Sequence, residues 1–235
     1  MSAIFRREFR SFFTGPIGYI ALAVMIASSG MYFFMYNLNY GMADLTGVFS
    51  GLFTISLLVI PFLTMRLFSD EKRQKTDQAL LTAPGSLTGI VLGKFFAALS
   101  LYAISISVTL IYAIILAFQI SPDWSLLIGN YIGLLLVGAL VITIGIFISC
   151  LTESQVIAAL GTLAISVILL TIDQIASLLS GITILEEIVG FISITTRYSE
   201  FTAGLINYDS IIYFITMQAL FIFLTVRILD SRRWN

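Results

Sequence analysis

The sequence predicts an all-α integral membrane protein with six transmembrane helices, and three observations carry that prediction. The 235 residues are 59% hydrophobic and only 11% charged, with a mean hydropathy of +1.03, against roughly 25% charged residues in a soluble domain. Charge-free runs at 11–43, 45–65, 95–122, 124–152, 154–172 and 210–226 meet the ~20 residues, with a range near 17–25, that cross a bilayer core as a helix. The last run is short, but the head of Arg227 can snorkel to the interface and extend it. Six crossings put Arg6, Arg7, Arg10, Arg66, Lys72, Arg73, Lys75, Lys94, Arg227, Arg232 and Arg233 on one side and leave only Arg197 opposite. The positive-inside rule makes that side cytoplasmic, with both termini on it.

Composition narrows the function classes. The single cysteine, Cys150, lies in an apolar run, which excludes an intrachain disulfide and argues against a cysteine metal site. Histidine is absent, and with it the commonest acid/base catalyst and metal ligand. The chain has no G-x-x-x-x-G-K-S/T loop to cradle phosphates, and no H-E-x-x-H, G-x-S-x-G or C-x-x-C. No catalytic residue, cofactor, metal or nucleic-acid partner is therefore expected, and any ATP used must be bound by another chain. The first apolar run outlasts the ~7–15 residues of a signal h-region, so the first span is expected to be retained.

Residues 2–14 (SAIFRREFRSFFT) space Phe5, Phe9, Phe12 and Phe13 at i, i+4, i+7 and i+8, with Arg6, Arg7 and Arg10 largely opposite. This predicts a short interfacial helix, or a basic flank that merely orients the first span. Gly15-Pro16 ends it. The spans follow at 17–38, 47–66, 90–118, 126–150, 155–178 and 209–229. Tyr32, Phe33, Phe34, Tyr36 and Tyr40 form an expected aromatic belt at the outer headgroups. Connectors 39–46 and 119–125 are short. Thr152-x-x-Gln155 has the pattern of a capping box opening the fifth span, and Glu153 beside it is a candidate contact for a cytoplasmic partner. Asp173 falls ~29 Å from Ser154 along a helix, which places it at the outer interface rather than at a midplane ion site. Segment 181–208 has apolar pieces too short to cross, and predicts short re-entrant or interfacial helices at the outer mouth. They serve as a structural lid or as a substrate gate. Gly47-x-x-x-Gly51 and Gly129-x-x-x-Gly133 permit close helix packing.

The connector at 66–84 (RLFSDEKRQKTDQALLTAP) holds seven charges between two spans. Ser69, Asp70 and Glu71 suit a helix start, and Thr76-Asp77 starts a second short helix that ends before Pro84. The expected structure is a helix–turn–helix along the inner membrane face that offers polar residues to a soluble partner, favoured by Leu80-Leu81-Thr82-Ala83-Pro84 over a solvated linker kept inside by its positive charges. The candidate coupling residues are Ser69, Asp70, Glu71, Lys72, Arg73, Gln74, Lys75, Thr76, Asp77 and, from the 151–155 turn, Glu153. Substrate-binding residues cannot be named from the sequence.

Read whole, the chain resembles the membrane subunit of an ABC-2-type exporter. Residues 66–84 followed by Gly93-Lys94-Phe95 carry the likeness: an acidic pair, basic residues, a threonine, a Leu-Leu-Thr-x-Pro turn, then Gly-Lys opening the third span. Residues 204–209 and 223–234 are similar to the gliding-motility-associated permease group, and more distantly to the nitrous-oxide-reductase maturation permease. Many relatives have glycine before the connector threonine, where this chain has Lys75. The resemblance implies a permease of a bacterial inner membrane. It would dimerise with a second copy or a sister permease and couple ATP hydrolysis by separate ATPase subunits to export. Its other expected neighbours are membrane lipids and an outer-face accessory protein. A non-transporting subunit that passes ATPase motion to an outer-face assembly is the alternative.

Overall fold

The computed structural model describes residues 1–42, 44–76, 86–118, 123–178, 193–205 and 207–234. It is helical, with no strand among the described residues, and six helical stretches are long and apolar enough to cross a membrane. In chain order the helices are α1 (Ser2–Thr14), α2 (Pro16–Phe33), α3 (Thr46–Thr64), α4 (Ser69–Arg73), α5 (Leu87–Ile106), α6 (Val108–Ala117), α7 (Trp124–Leu151), α8 (Gln155–Leu178), α9 (Ile194–Thr202) and α10 (Tyr208–Trp234). The spans are α2 with its continuation, α3 with α4, α5 with α6, α7, α8 and α10.

Local chemistry sets most boundaries. Pro16 occupies the first turn of α2, where its missing N–H costs nothing. Ser86, Asp123 and Ser193 cap α5, α7 and α9 by accepting the N–H of Gly89, of Ser125 and Leu126, and of Thr196. Two departures from regular helix had no sequence signal. Residues 34–39 continue α2 as a π-helix, and the third span is interrupted at Ser107, whose Oγ bonds back to the Ala103 carbonyl. Asn37 then donates to the Met42 and Asp44 carbonyls, folding the loop back on the helix end.

Helix α7 is the centre of the bundle. Its hydropathy shows no preferred face, as a helix surrounded by protein should, and 72% of its most apolar window is buried, against 17% for the last span. Apolar surface gives helices no net attraction inside lipid, so close packing at small residues decides the arrangement. An added Cβ at Gly133 would lie 2.7 Å from Phe201 of α9, one at Gly51 would lie 2.5 Å from the Tyr32 ring, and one at Gly47 2.8 Å from the Tyr36 ring. Both expected glycine pairs therefore seat neighbouring elements. Tyr32 and Tyr36 belong to this packing, while Phe34 and Tyr40 remain exposed like a belt. Helix α9 lies in the segment expected to hold outer helices, with Ile194, Tyr198 and Phe201 buried. The stretch 179–192 lies outside the described residues, as does most of the apolar piece at 188–194. Asp173 stands half-buried in the last turns of α8.

Tyr102 shows how tightly the centre is filled. Its hydroxyl donates to the Leu134 carbonyl at 3.1 Å and lies 2.9 Å from Ser56 Oγ, and its ring covers Gly138, where a Cβ would overlap it. Gly138→Ala is expected to cost about 1–3 kcal/mol, read as a lower thermal midpoint in detergent. An unchanged midpoint would show that the ring can move aside.

Candidate functional site

The connector leaves α3 through a turn at 65–68 and forms α4, a single helical turn. The residue at its N-cap position is Phe68, which has no capping side chain, and Ser69 instead lies inside the helix with its hydroxyl bonded back to the Met65 carbonyl. The cap comes from across the bundle. Ser149 Oγ of α7 accepts the N–H of Phe68 and of Ser69, both at 3.1 Å, and donates to the Met65 carbonyl at 3.1 Å. This corrects the expectation that Ser69 caps its own helix. The second short helix expected beyond Thr76, with Asp77, Leu80 and Pro84, lies outside the described residues.

The capping box expected at Thr152 and Gln155 does not form. Thr152 Oγ1 accepts the N–H of Ser154, Ser154 Oγ accepts that of Ile157 at 3.4 Å, and Gln155 Nε2 donates to Asp70 Oδ1 at 2.6 Å. The glutamine amide is turned toward the connector because its N–H makes a charge-assisted hydrogen bond to the Asp70 carboxylate. Arg66 and Arg73 also pair with Asp70, at 3.4 and 3.2 Å, and Lys72 pairs with Glu153 at 3.4 Å. The short turn between α7 and α8 is thus tied to α4 at two points.

The strongest feature was not singled out by sequence reasoning. Lys94, seven residues into α5 and so ~10 Å along its axis, is fully buried. Its ammonium lies 3.1 Å from Glu8 Oε1 of α1 and 3.0 Å from Glu71 Oε1 of α4, and donates to the Leu67 carbonyl. The Phe68 ring sits 4.8 Å away. Three protons meet three oxygens, which a buried ammonium requires. Arg7 bridges the same two carboxylates from the outside, 2.5 Å from each. Partial burial works against the Arg7 charge, but hydrogen bonds and attraction to Glu8 and Glu71 prevail and raise its pKa above the usual arginine value. Helix α1 accordingly lies with Ile4, Glu8 and Phe12 toward the bundle, and Ile4 rests on Gly93. The signal available beforehand was an acid placed i±4 between two apolar residues, and a lone lysine in an apolar span.

Of the ten candidate coupling residues, Asp77 lies outside the described residues and the other nine divide by position. Ser69 is buried, and Asp70, Glu71 and Lys72 have side chains only 17, 18 and 22% exposed. Arg73, Gln74, Lys75, Thr76 and Glu153 face solvent. Lys75 adopts φ +57°, the left-handed region that favours glycine. The position where relatives carry glycine is therefore a real αL turn, held here by a lysine. Between α1 and the connector lies a cavity of about 260 Å³ whose wall includes Arg7, Arg66, Asp70, Glu71, Phe12 and Leu63.

Lys94→Met would leave Glu8 and Glu71 buried without their cation, and is expected to cost about 3–5 kcal/mol. Ser149→Ala, which strands two N–H groups, is expected to cost about 1–3 kcal/mol. Thermal unfolding of the purified chain measures both, and a Lys94→Met protein as stable as wild type would contradict the geometry.

Comparison with curated proteins finds no match for this chain. Comparison with protein families finds one described as ABC-2 family transporter protein, which matches residues 2–229. That span takes in α1, the connector and all six membrane-crossing stretches. On that match and this fold, the chain belongs to the ABC-2 family of transporter proteins.

Proposed function

We propose that this chain is the transmembrane subunit of an ATP-driven exporter, acting as a dimer with a second copy or a sister permease. Separate ATPase subunits dock on the exposed edge of its connector at the cytoplasmic face of a bacterial inner membrane. Permeases of this family work with ATPase subunits, and this chain has no phosphate-cradling loop of its own. The observation that carries the reading is the two-sided build of α4. Its outer edge, Arg73 to Thr76 with Glu153, is exposed to a partner, with Arg73 and Glu153 held by Asp70 and Lys72. Its inner edge is bonded to α1, α5, α7 and the start of α8 through Glu8, Lys94, Ser149 and Gln155.

A push on the outer edge therefore cannot be absorbed locally. It reaches two pairs of spans and the N-terminal helix together, because a charge network with no slack transmits displacement where a solvated linker would bend. In this reading Glu71 is a positioning residue and Arg73 a docking residue.

Pull-down of the tagged chain from native membranes in mild detergent, followed by mass spectrometry, tests the reading. Wild type is expected to recover a P-loop ATPase. Arg73→Glu is expected to reduce that recovery by about ten-fold or more, through like-charge or lost-pair contacts at the interface. Glu71→Ala is expected to keep the ATPase but to uncouple its hydrolysis from transport in reconstituted vesicles. No ATPase with the intact wild-type chain, or full transport by Glu71→Ala, would overturn it.

A further inference from the structure

We propose that Arg6 and Arg10 form a clamp for the phosphate of an anionic phospholipid, held at headgroup depth by the way α1 is locked against the bundle. The proposal needs no ATPase partner, so it stands or falls apart from the reading above. Both arginines are exposed, and neither has an ion pair or hydrogen bond among the described residues. By contrast, Arg7, Arg66, Lys72, Arg73 and Lys94 each meet a carboxylate.

The roll of α1 is fixed by its inner edge. Glu8 and Phe12 are buried there, and Glu8 pairs with the buried Lys94. At 3.6 residues per turn, Arg6 and Arg10 then stand roughly 160° from Glu8, one on each side of the outermost line of the helix. Arg7, about 100° from Glu8, bonds to Glu71 of the connector. Phe5, Phe9 and Phe13 occupy the opposite flank, about 60–140° from Glu8 in the other sense. The charged connector stands in water, so the flank turned away from it points into the apolar layer. The rings support that sense. Phe5 packs on Phe9, Phe9 on Phe13 and Phe13 on Tyr19 of α2, with centroids 5.2–5.7 Å apart. Tyr19 and its neighbour Ile20 are exposed at the start of the first span, a surface that lipid covers.

This placement decides the ligand class. A helix with protein behind it and acyl chains on its aromatic flank has lipid headgroups against its outer edge. Arg6 adjoins Phe9 and Arg10 adjoins Phe13 at i, i+3, so a lipid with its chains on the rings brings its phosphate to the guanidinium groups. Guanidinium forks suit phosphate oxygens. Ala3, Ser11 and Thr14 leave a shallow recess around Arg6, Arg7 and Arg10, and no carboxylate lines it. The ammonium of a zwitterionic lipid finds no counter-charge there, which favours a headgroup of net negative charge. An acidic protein surface fits less well, because this edge is continuous with the apolar rings and not with the polar connector.

The test uses the full chain in nanodiscs of equal parts phosphatidylglycerol and phosphatidylcholine, with native mass spectrometry of the lipid retained after release into detergent. Wild type is expected to retain phosphatidylglycerol about ten-fold or more over phosphatidylcholine, the order that two arginines near an anionic surface imply. The double variant Arg6→Gln/Arg10→Gln is expected to lose that preference. Lys75→Gln, which removes an exposed cation of the connector, is expected to keep it. Soluble glycerol phosphate is expected not to displace the lipid, because it has no chains to lie on the rings. Displacement by glycerol phosphate, an unchanged preference in the double variant, or an equal loss in Lys75→Gln would overturn the proposal. Equal retention of the two lipids by wild type would also overturn it, and would leave the arginines to an acidic protein partner. The wild-type comparison decides even if a variant fails to fold.

Discussion

The ammonium of Lys94 sits where water does not reach, and that constraint organises the connector end of the molecule. Burying a charge costs several kcal/mol unless its partners are placed for it. Here Glu8 comes from a helix outside the bundle, Glu71 from the connector, and the third acceptor is the backbone at Leu67. Meeting all three at once fixes the angle at which α1 crosses α5 and the depth at which α4 stands. Apolar side chains in place of the whole cluster, carboxylates included, would serve stability as well. What the ion cluster adds is one arrangement in place of several.

The remaining ties converge on α7. At its far end Gly129 and Gly133 receive Phe201 of α9, near its middle Gly138 receives Tyr102, and further along Gly145 receives Thr64. At the connector end Ser149 caps α4 in place of any residue of the connector itself. One helix thus carries the seats of α9, of the second and third spans and of α4. Apolar fit and hydrogen bonding divide the work by depth: glycine seats act in the hydrocarbon layer, and charge pairs act where the spans end.

Much of this was legible in the residues. The spans could be counted because charge-free runs admit only one reading in a bilayer, and the helix starts at Ser86, Asp123 and Ser193 follow ordinary cap chemistry. The connector's charges marked the site. What escaped was the polar contacts made across the bundle. Ser69 and the pair Thr152 and Gln155 look like local caps, yet Ser149 and Asp70 outcompete those local bonds from 80 and 85 residues away. Glu8 drew no reading at all, because its partner is 86 residues distant. Sequence spacing reports neighbours along a helix and is silent on neighbours between helices. The π-helical end of the first span and the break at Ser107 also went unread, although the Ser107 bond to Ala103 is local.

The family membership and the geometry join at α4, whose outer edge is open and whose inner edge is tied to four other elements. If that joint transmits ATPase motion, α1 and the connector must travel together. The most direct measurement is electron–electron spin-label distance between Arg6 on α1 and Thr76 in the connector, both exposed, in the ATPase-bound complex with and without trapped ATP. The account predicts one narrow distance distribution, the same in both states, that broadens when Lys94 is replaced by Met. A distance that shifts between nucleotide states in the wild-type protein would contradict it, and would show that the connector moves free of the N-terminal helix.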